Sequence, residues 1–262
     1  MADIRSPDKM KKLIVNADDF GLDDETVDWT IRGFELGKIT SATIMAGMPA
    51  TALAVEYAKS HPQFSFGVHL CLVDEKPLSD PAKIPSLVDP KTGKLWPTRQ
   101  FIIRNFFGLI KVRDLKTEMR AQIDALKAMG LKISHVDGHG HNHRLPQSIK
   151  ALKELKEEGI IGDKVRRCQD LFVGKPGLLS RVINDPMQSR LAGSFKMTDH
   201  FIMAAGHTQD AKWFSHAVAN LPDGITEIGI HPGKAEDWRR IDCEDCFACD
   251  LSDIEMTNFK EI

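Results

Sequence analysis

The chain predicts an α/β fold built on a parallel sheet. Three observations lead there. The apolar runs are short and continuous rather than alternating, as in strands buried on both faces. Stripes of helical period separate them. A carboxylate or an imidazole stands at or just past the carboxyl end of one run after another, where parallel α/β folds gather their functional groups.

The first run is K-K-L-I-V-N-A-D-D-F, Lys11 to Phe20, in which Leu13, Ile14 and Val15 read as a buried strand and Asp18 and Asp19 follow its end. Gly21 permits a turn, and Asp23 or Asp24 can cap a helix carrying Val27, Ile31 and Phe34 at i, i+4, i+7. Ser41 to Ala46 is a second strand, and Pro49 opens a helix with Leu53, Ala54 and Tyr57 on its stripe. Phe64 to Leu72 is a third strand, with His69 near its end. Val73 to Thr98 holds Pro77, Pro81, Pro85, Pro90 and Pro97 and has no period. A loop of that length is a functional element or an insertion, and it is expected to lie over the mouth of a pocket.

Phe101 to Ile110 reads as an apolar helix, part of the same lid or a partner surface such as a homodimer interface. Asp114 starts a further helix with Leu115, Met119, Ile123 and Leu126 inward and Gly130 at its C′ position. The focal stretch follows: S-H-V-D-G-H-G-H-N-H, Ser134 to His143, holds four of the chain's ten histidines. Read as a strand running out into a loop, it would point His135, Asp137, His139, His141 and His143 into one pocket, because residues two apart share a face. Pro146 begins a helix with Ile149, Leu152 and Leu155 inward and Gly159 at its end. Lys164 to Cys168 reads as a brief strand presenting Arg166 or Arg167. Leu178 to Leu191 and Ala211 to Leu221 pattern as helices, Phe195 to Ala204 as a strand. Ile225 to Ile230 is the last strand and runs into His231.

No internal repeat or low-complexity linker appears, so one domain over residues 1–262 is expected, with a Pro-rich insertion at about 73–98. A charged fraction of 27% with net charge −2 gives no reason to expect nucleic acid as a partner. No apolar run approaches the length of a transmembrane segment. The polar stretch from Met1 to Lys12 reads as carrying no secretory signal, and five cysteines, an odd number, fit a reducing compartment; a cytoplasmic protein is expected.

Asp18, Asp19, His69, Asp137, His139 and His231 all fall at or beyond strand ends. Two imidazoles and a carboxylate can hold one divalent metal ion, zinc or magnesium among others, while a spare carboxylate serves as base and a further histidine as acid. Residue type alone leaves amide, ester and phosphoester hydrolysis open, and barrel and open sheet remain alternatives.

N-A-D-D-F-G (Asn16 to Gly21), G-V-H-L (Gly67 to Leu70), H-V-D-G-H-G-H-N-H (His135 to His143) and I-H-P-G (Ile230 to Gly233), in that order, resemble the YdjC family of carbohydrate deacetylases. The family includes the chitooligosaccharide deacetylase ChbG and the hopanoid-associated HpnK, and the tract from Leu72 to Asp89 is especially similar to the HpnK branch. The resemblance implies a TIM-like β/α barrel, irregular or not, related to polysaccharide deacetylases, that removes acetyl from an N-acetylated sugar or glycolipid with one divalent metal ion. Carried over by motif, Asp19, His69 and His139 would be the metal ligands, Asp18 the base and His231 the acid. His143 and Arg166 would hold substrate, and Asp137 would orient a ligand histidine. Two features depart from the family pattern. Gly140 stands where many members carry a third consecutive histidine, and Cys243, Cys246 and Cys249 form a C-x2-C-x2-C run. That run reads as cysteines on one helix face or a loop rather than as a metal site, since a fourth nearby thiol is missing.

Two other functions fit the same residues. A metal phosphoesterase is one, although the chain lacks a basic or glycine-rich phosphate cradle. A non-enzymatic, metal-dependent sugar-binding protein is the other, disfavoured because the base and acid positions are both filled.

Overall fold

The computed structural model describes residues 11–172, 178–204, 210–234 and 236–262. Most of the polar N-terminal stretch lies outside these residues.

β1 (Lys11–Phe20) forms the centre of a parallel sheet, and Leu13, Ile14 and Val15 are fully buried in it. Asp23 caps α1 (Asp24–Glu35), its side chain accepting from Thr26 N at 2.7 Å. β2 (Ser41–Ile44) pairs with β1, and α2 (Thr51–Ser60) follows. α2 begins two residues after Pro49, and Leu53 points to solvent instead of joining the inward stripe. β3 (Ser65–Leu70) pairs with β2.

Residues 73–97 wind irregularly into α3 (Thr98–Phe106) and α4 (Val112–Ala128). The winding segment is tied to α4. Leu78 N and Ser79 N donate to the Glu118 carboxylate, and Ser86 N and Oγ donate to Asp114 Oδ2. On α4, Leu115, Met119, Ile123 and Leu126 are fully buried, each worth about 1.5–3 kcal/mol of apolar transfer. Gly130, at φ 92°, closes that helix in the left-handed conformation that a side chain would strain.

β4 (Val136–Gly138) pairs with β3, and α5 (Pro146–Glu157) buries Ile149, Leu152 and Leu155. α6 (Leu178–Ala192), β5 (His200–Met203), α7 (Trp213–Ala219), β6 (Gly224–Ile230), α8 (Asp237–Ala248) and β7 (Glu255–Met256) complete the chain.

The strand order is β4-β3-β2-β1-β6-β5, all pairings parallel, with the short β7 added beside the start of β1. Between β4 and β5 the wall is closed by isolated bridges, Val136 to Val165, Lys164 to Lys196 and Leu171 to Ile202. The predicted strand at Lys164 to Cys168 is this bridging segment. The result is an irregular β/α barrel. Because every strand of the main path is parallel, their carboxyl ends open on one face.

The focal stretch departs from the sequence expectation. It is extended only through Gly138, and His139 to Arg144 form 3-10 turns in which Gly140 (φ 57°) and His141 (φ 55°) take left-handed conformations. A period-2 alternation cannot cross such a turn, so the histidines separate. Among the described residues, no helix is long and apolar enough to cross a membrane.

Candidate metal centre

Asp18 and Asp19 are the eighth and ninth residues of β1, where its register with β2 slips between Ala17 and Phe20. Asp19 has φ 59°, a left-handed conformation uncommon outside glycine, and strain of this kind clusters at functional sites. At that break the two adjacent carboxylates take different partners.

Asp19 Oδ1 lies 2.9 Å from His139 Nδ1 and 3.2 Å from His69 Nε2, and Asp19 Oδ2 accepts from Arg239 Nη2 at 2.8 Å. His69 and Asp137 are directly paired residues of β3 and β4, and His69 Nδ1 meets Asp137 Oδ1 at 2.8 Å. Thr43 Oγ1 donates to Asp137 Oδ2 at 3.0 Å. Asp137 holds His69 through Nδ1, which leaves Nε2 as the ring atom turned toward Asp19 and His139. That atom is buried and has no hydrogen-bond partner. One ligand atom from each of Asp19, His69 and His139 lies within 4.8 Å of the others, and this carboxylate–bis-imidazole set fits a divalent ion. Asp18, His69 and Asp137 also converge, but Arg166 already occupies the two carboxylates of that group.

Arg166 is fully buried. Its Nη1 and Nη2 donate to the two Asp18 oxygens, both at 2.7 Å, Nη1 also lies 2.8 Å from Asp137 Oδ2, and Nε donates to Glu227 Oε1 at 2.7 Å. One cation thus faces three buried carboxylates. Burial opposes ionisation of Asp18, but the Arg166 guanidinium outweighs it and holds that carboxyl well below the usual range; Asp137 is lowered by the same balance. For Glu227, burial and the two neighbouring carboxylates outweigh the Arg166 contact and push it up to about 7. Asn16 Nδ2 donates to Asp18 Oδ1 at 2.8 Å and fixes the carboxylate further.

For His69, burial lowers the pKa, while Asp137, Asp19 and Asp18 raise it more, to about 10. His231 follows the end of β6, with Nδ1 3.3 Å from Asp242 Oδ2 and its ring edge-on to Trp238 at 4.9 Å. Burial works against the imidazolium, and Asp242, Asp19 and Asp18 more than restore it, raising the pKa above the ordinary value.

The remaining histidines of the focal stretch lie outside the ligand set. His135 stacks flat on Phe259, ring centroids 3.6 Å apart, and a Cβ on Gly67 would meet its ring at 2.7 Å. His141 packs against Phe201. His143 is fully buried, with Nε2 3.2 Å from the Arg166 carbonyl, and burial pushes its pKa down to about 4. Both residues expected to hold substrate, His143 and Arg166, are fully buried. Sequence reasoning passed over Thr43, Glu227, Arg239 and Asp242. Glu227 carried a signal, a charge inside the apolar run I-T-E-I-G-I, whereas Arg239 and Asp242 lie on α8 with no local mark. Cys243 and Cys246 are buried on α8 and Cys249 caps it; all three thiols are free, and burial pushes Cys243 up to about 12.

A family model described as YdjC-like protein matches residues 12–260. The chain belongs to the YdjC-like family. Relatives named carbohydrate deacetylase include one from Geobacillus stearothermophilus, 35% identical over 55% of each chain, and one from Vibrio vulnificus (strain CMCP6), 32% identical over 62% of this chain and 64% of that one. A third, from Thermoanaerobacter pseudethanolicus, is 28% identical over 87% of this chain and 83% of its own. The stretch shared with the first of these spans little more than half of that relative's length. Two solved structures share the fold. A candidate cellobiose-phosphate cleavage protein from Enterococcus faecalis V583 has TM-score 0.76 at 21% identity, covering 96% of this chain and 98% of that one. The Xyl-CE4 domain of a multidomain xylanase from the hindgut metagenome of Trinervitermes trinervoides has TM-score 0.51 at 8% identity, covering 96% of this chain and 89% of that one.

Proposed function

We propose that the protein is a metal-dependent hydrolase that removes the acetyl group from an N-acetylated amino sugar, free or carried on a lipid. The observation that carries the reading is the convergence of Asp19, His69 and His139 beside a separately held carboxylate, Asp18, and a third imidazole, His231. The names of the curated relatives support the choice of substrate.

Asp19, His69 and His139 would hold one divalent ion, zinc or magnesium. When bound, such an ion supplies a Lewis acid that polarises a carbonyl and brings the pKa of water toward neutrality. The protein's own groups do the rest. Asp18 is ionised and anchored on both oxygens by Arg166, so it accepts a proton from the attacking water without turning away. His231, whose hold on a proton is strengthened by the carboxylates around it, gives a proton to the departing amine nitrogen. The C–N bond breaks, and acetate and the free amino sugar result. Asp137 fixes the tautomer of His69. Arg166 serves as a positioning residue under the site rather than a contact to sugar.

The experiment is acetate release across a panel of N-acetylated oligosaccharides and glycolipids, with chelated protein and Asp18→Asn as controls. Acetate release lost in both controls is the expected result. Release of phosphate from phosphoesters with acetyl groups untouched would move the reading to a phosphoesterase. Sugar binding without turnover, over several metals, would move it to a binding protein.

A further inference from the structure

α3 carries its apolar residues the wrong way round for a helix that only serves the core. Phe101 and Asn105 face inward and are fully buried, yet Ile103, Phe106 and Phe107, at i, i+3, i+4, form an outward stripe, and Leu109 extends it. Phe107 is 78% exposed. Lone exposed apolar residues are ordinary, but a contiguous stripe with two aromatic rings marks a contact surface.

Charge identifies the occupant. From Thr98 to Arg113 the chain has no acidic residue, and its ionisable groups are Arg99, Arg104, Lys111 and Arg113. Arg104 lies over the Trp96 ring at 3.9 Å, and Arg113 is paired with the buried Asp114. Asp74 stands at the N-terminal edge, accepting from Thr98 Oγ1 at 2.6 Å. Beside the stripe, Phe106 forms one wall of a cleft of about 650 Å³ whose other walls include Pro146, Lys150, Lys153 and Arg190. A basic rim around exposed aromatics would meet a like rim in a two-fold dimer, where the same patch faces itself. It complements an anionic lipid surface instead.

Placement agrees. Asn105 Oδ1 accepts from Gln147 N at 2.9 Å and Asn105 Nδ2 donates to Ser148 Oγ at 3.1 Å, fixing α3 to the start of α5. α5 begins directly after the turn that carries His139, so α3 is anchored at the end of the barrel that carries the metal centre.

We propose that α3 and the cleft beside it dock the protein on an anionic phospholipid bilayer, with Phe106, Phe107 and Leu109 entering the headgroup boundary and Lys150, Lys153 and Arg190 meeting lipid phosphates. This surface does not depend on which reaction the metal centre runs.

The test is co-sedimentation of the full chain with vesicles of phosphatidylcholine alone or mixed with phosphatidylglycerol, at low and at physiological salt. Binding to the mixed vesicles should exceed binding to phosphatidylcholine at least about tenfold and should fall with added salt. Phe107→Asp should cost about tenfold or more, and Lys150→Glu with Arg190→Glu about fivefold for each neutralised charge and further for the reversal. These positions are outside the metal centre, so acetate release from a soluble sugar and the unfolding temperature should stay at wild-type values in every variant. Equal binding to the two kinds of vesicle, or wild-type binding by both variants, would overturn the proposal. So would light scattering that shows a dimer split by Phe107→Asp while vesicles remain unbound.

Discussion

Replacing Arg166 by Gln tests the electrostatic arrangement beneath the metal centre. The wild-type guanidinium contacts Asp18, Asp137 and Glu227, each at 2.7–2.8 Å, and all four groups are buried. Removing one partner of a buried ion pair costs about 3–5 kcal/mol, because the partner left behind keeps its charge out of water. Here three carboxylates are left, so the upper end of that range applies until they take up protons. For a chain of this size about 2–4 °C of unfolding temperature goes with each kcal/mol, giving a fall of roughly 10–20 °C near neutral pH. The pH dependence should change as well. In the wild type Asp18 and Asp137 are held below their ordinary values, so their contribution is present above the unfolded-state pKa and is lost as pH falls. Without Arg166, burial dominates and raises both, so the variant loses stability as pH rises through their new values. The variant should therefore recover part of its deficit on moving from pH 8 to pH 5. Thermal unfolding followed by circular dichroism at both pH values measures this. If the variant melted within about 2 °C of wild type at pH 8, with changes confined to KM, Arg166 would be a substrate contact and the charge argument would be wrong.

Two further outcomes follow from neighbouring groups. Glu227→Gln should raise stability at pH 8, since a carboxyl moved from its ordinary 4.5 to about 7 by folding opposes the native state by about 3 kcal/mol once both states are ionised. Chemical denaturation at pH 5 and pH 8 should show a gain at the higher pH that shrinks toward the lower; a uniform loss would mean that the Glu227 charge is needed by Arg166. Asp137→Asn should weaken metal binding about 10–100-fold, by freeing the His69 ring from its Nδ1 partner. Calorimetric titration of folded variant with zinc and with magnesium checks this, and affinity within twofold of wild type would remove Asp137 from the account.

The candidate site is legible in the sequence where chemistry coincides with the end of a buried strand. Asp18, Asp19, His69 and His231 were readable because a parallel sheet puts those ends on one face. His139 is matched as a ligand by motif; strand alternation would also align it with His141 and His143, whereas left-handed turns at Gly140 and His141 part them. His143 and Arg166 were matched by motif alone, and nothing local says that a guanidinium will meet three carboxylates from β1, β4 and β6. Arg239 and Asp242 reach the site from α8, more than two hundred residues along the chain from Asp19. Long-range contacts of that kind leave no period or spacing to read. The irregular winding of Val73 to Thr98 is legible in its prolines and lack of period, but its bonds to α4 depend on buried Glu118 and Asp114, which look like ordinary helix-surface acids in the sequence.

The most direct test of the central claim is anomalous diffraction from crystals grown with zinc, read together with metal content in solution. One peak per chain within ligand distance of Asp19, His69 and His139, lost in His69→Ala along with the bound metal, is the predicted result. A folded protein that binds no divalent ion, or a peak held by other side chains while those three stay bonded only to one another, would contradict it.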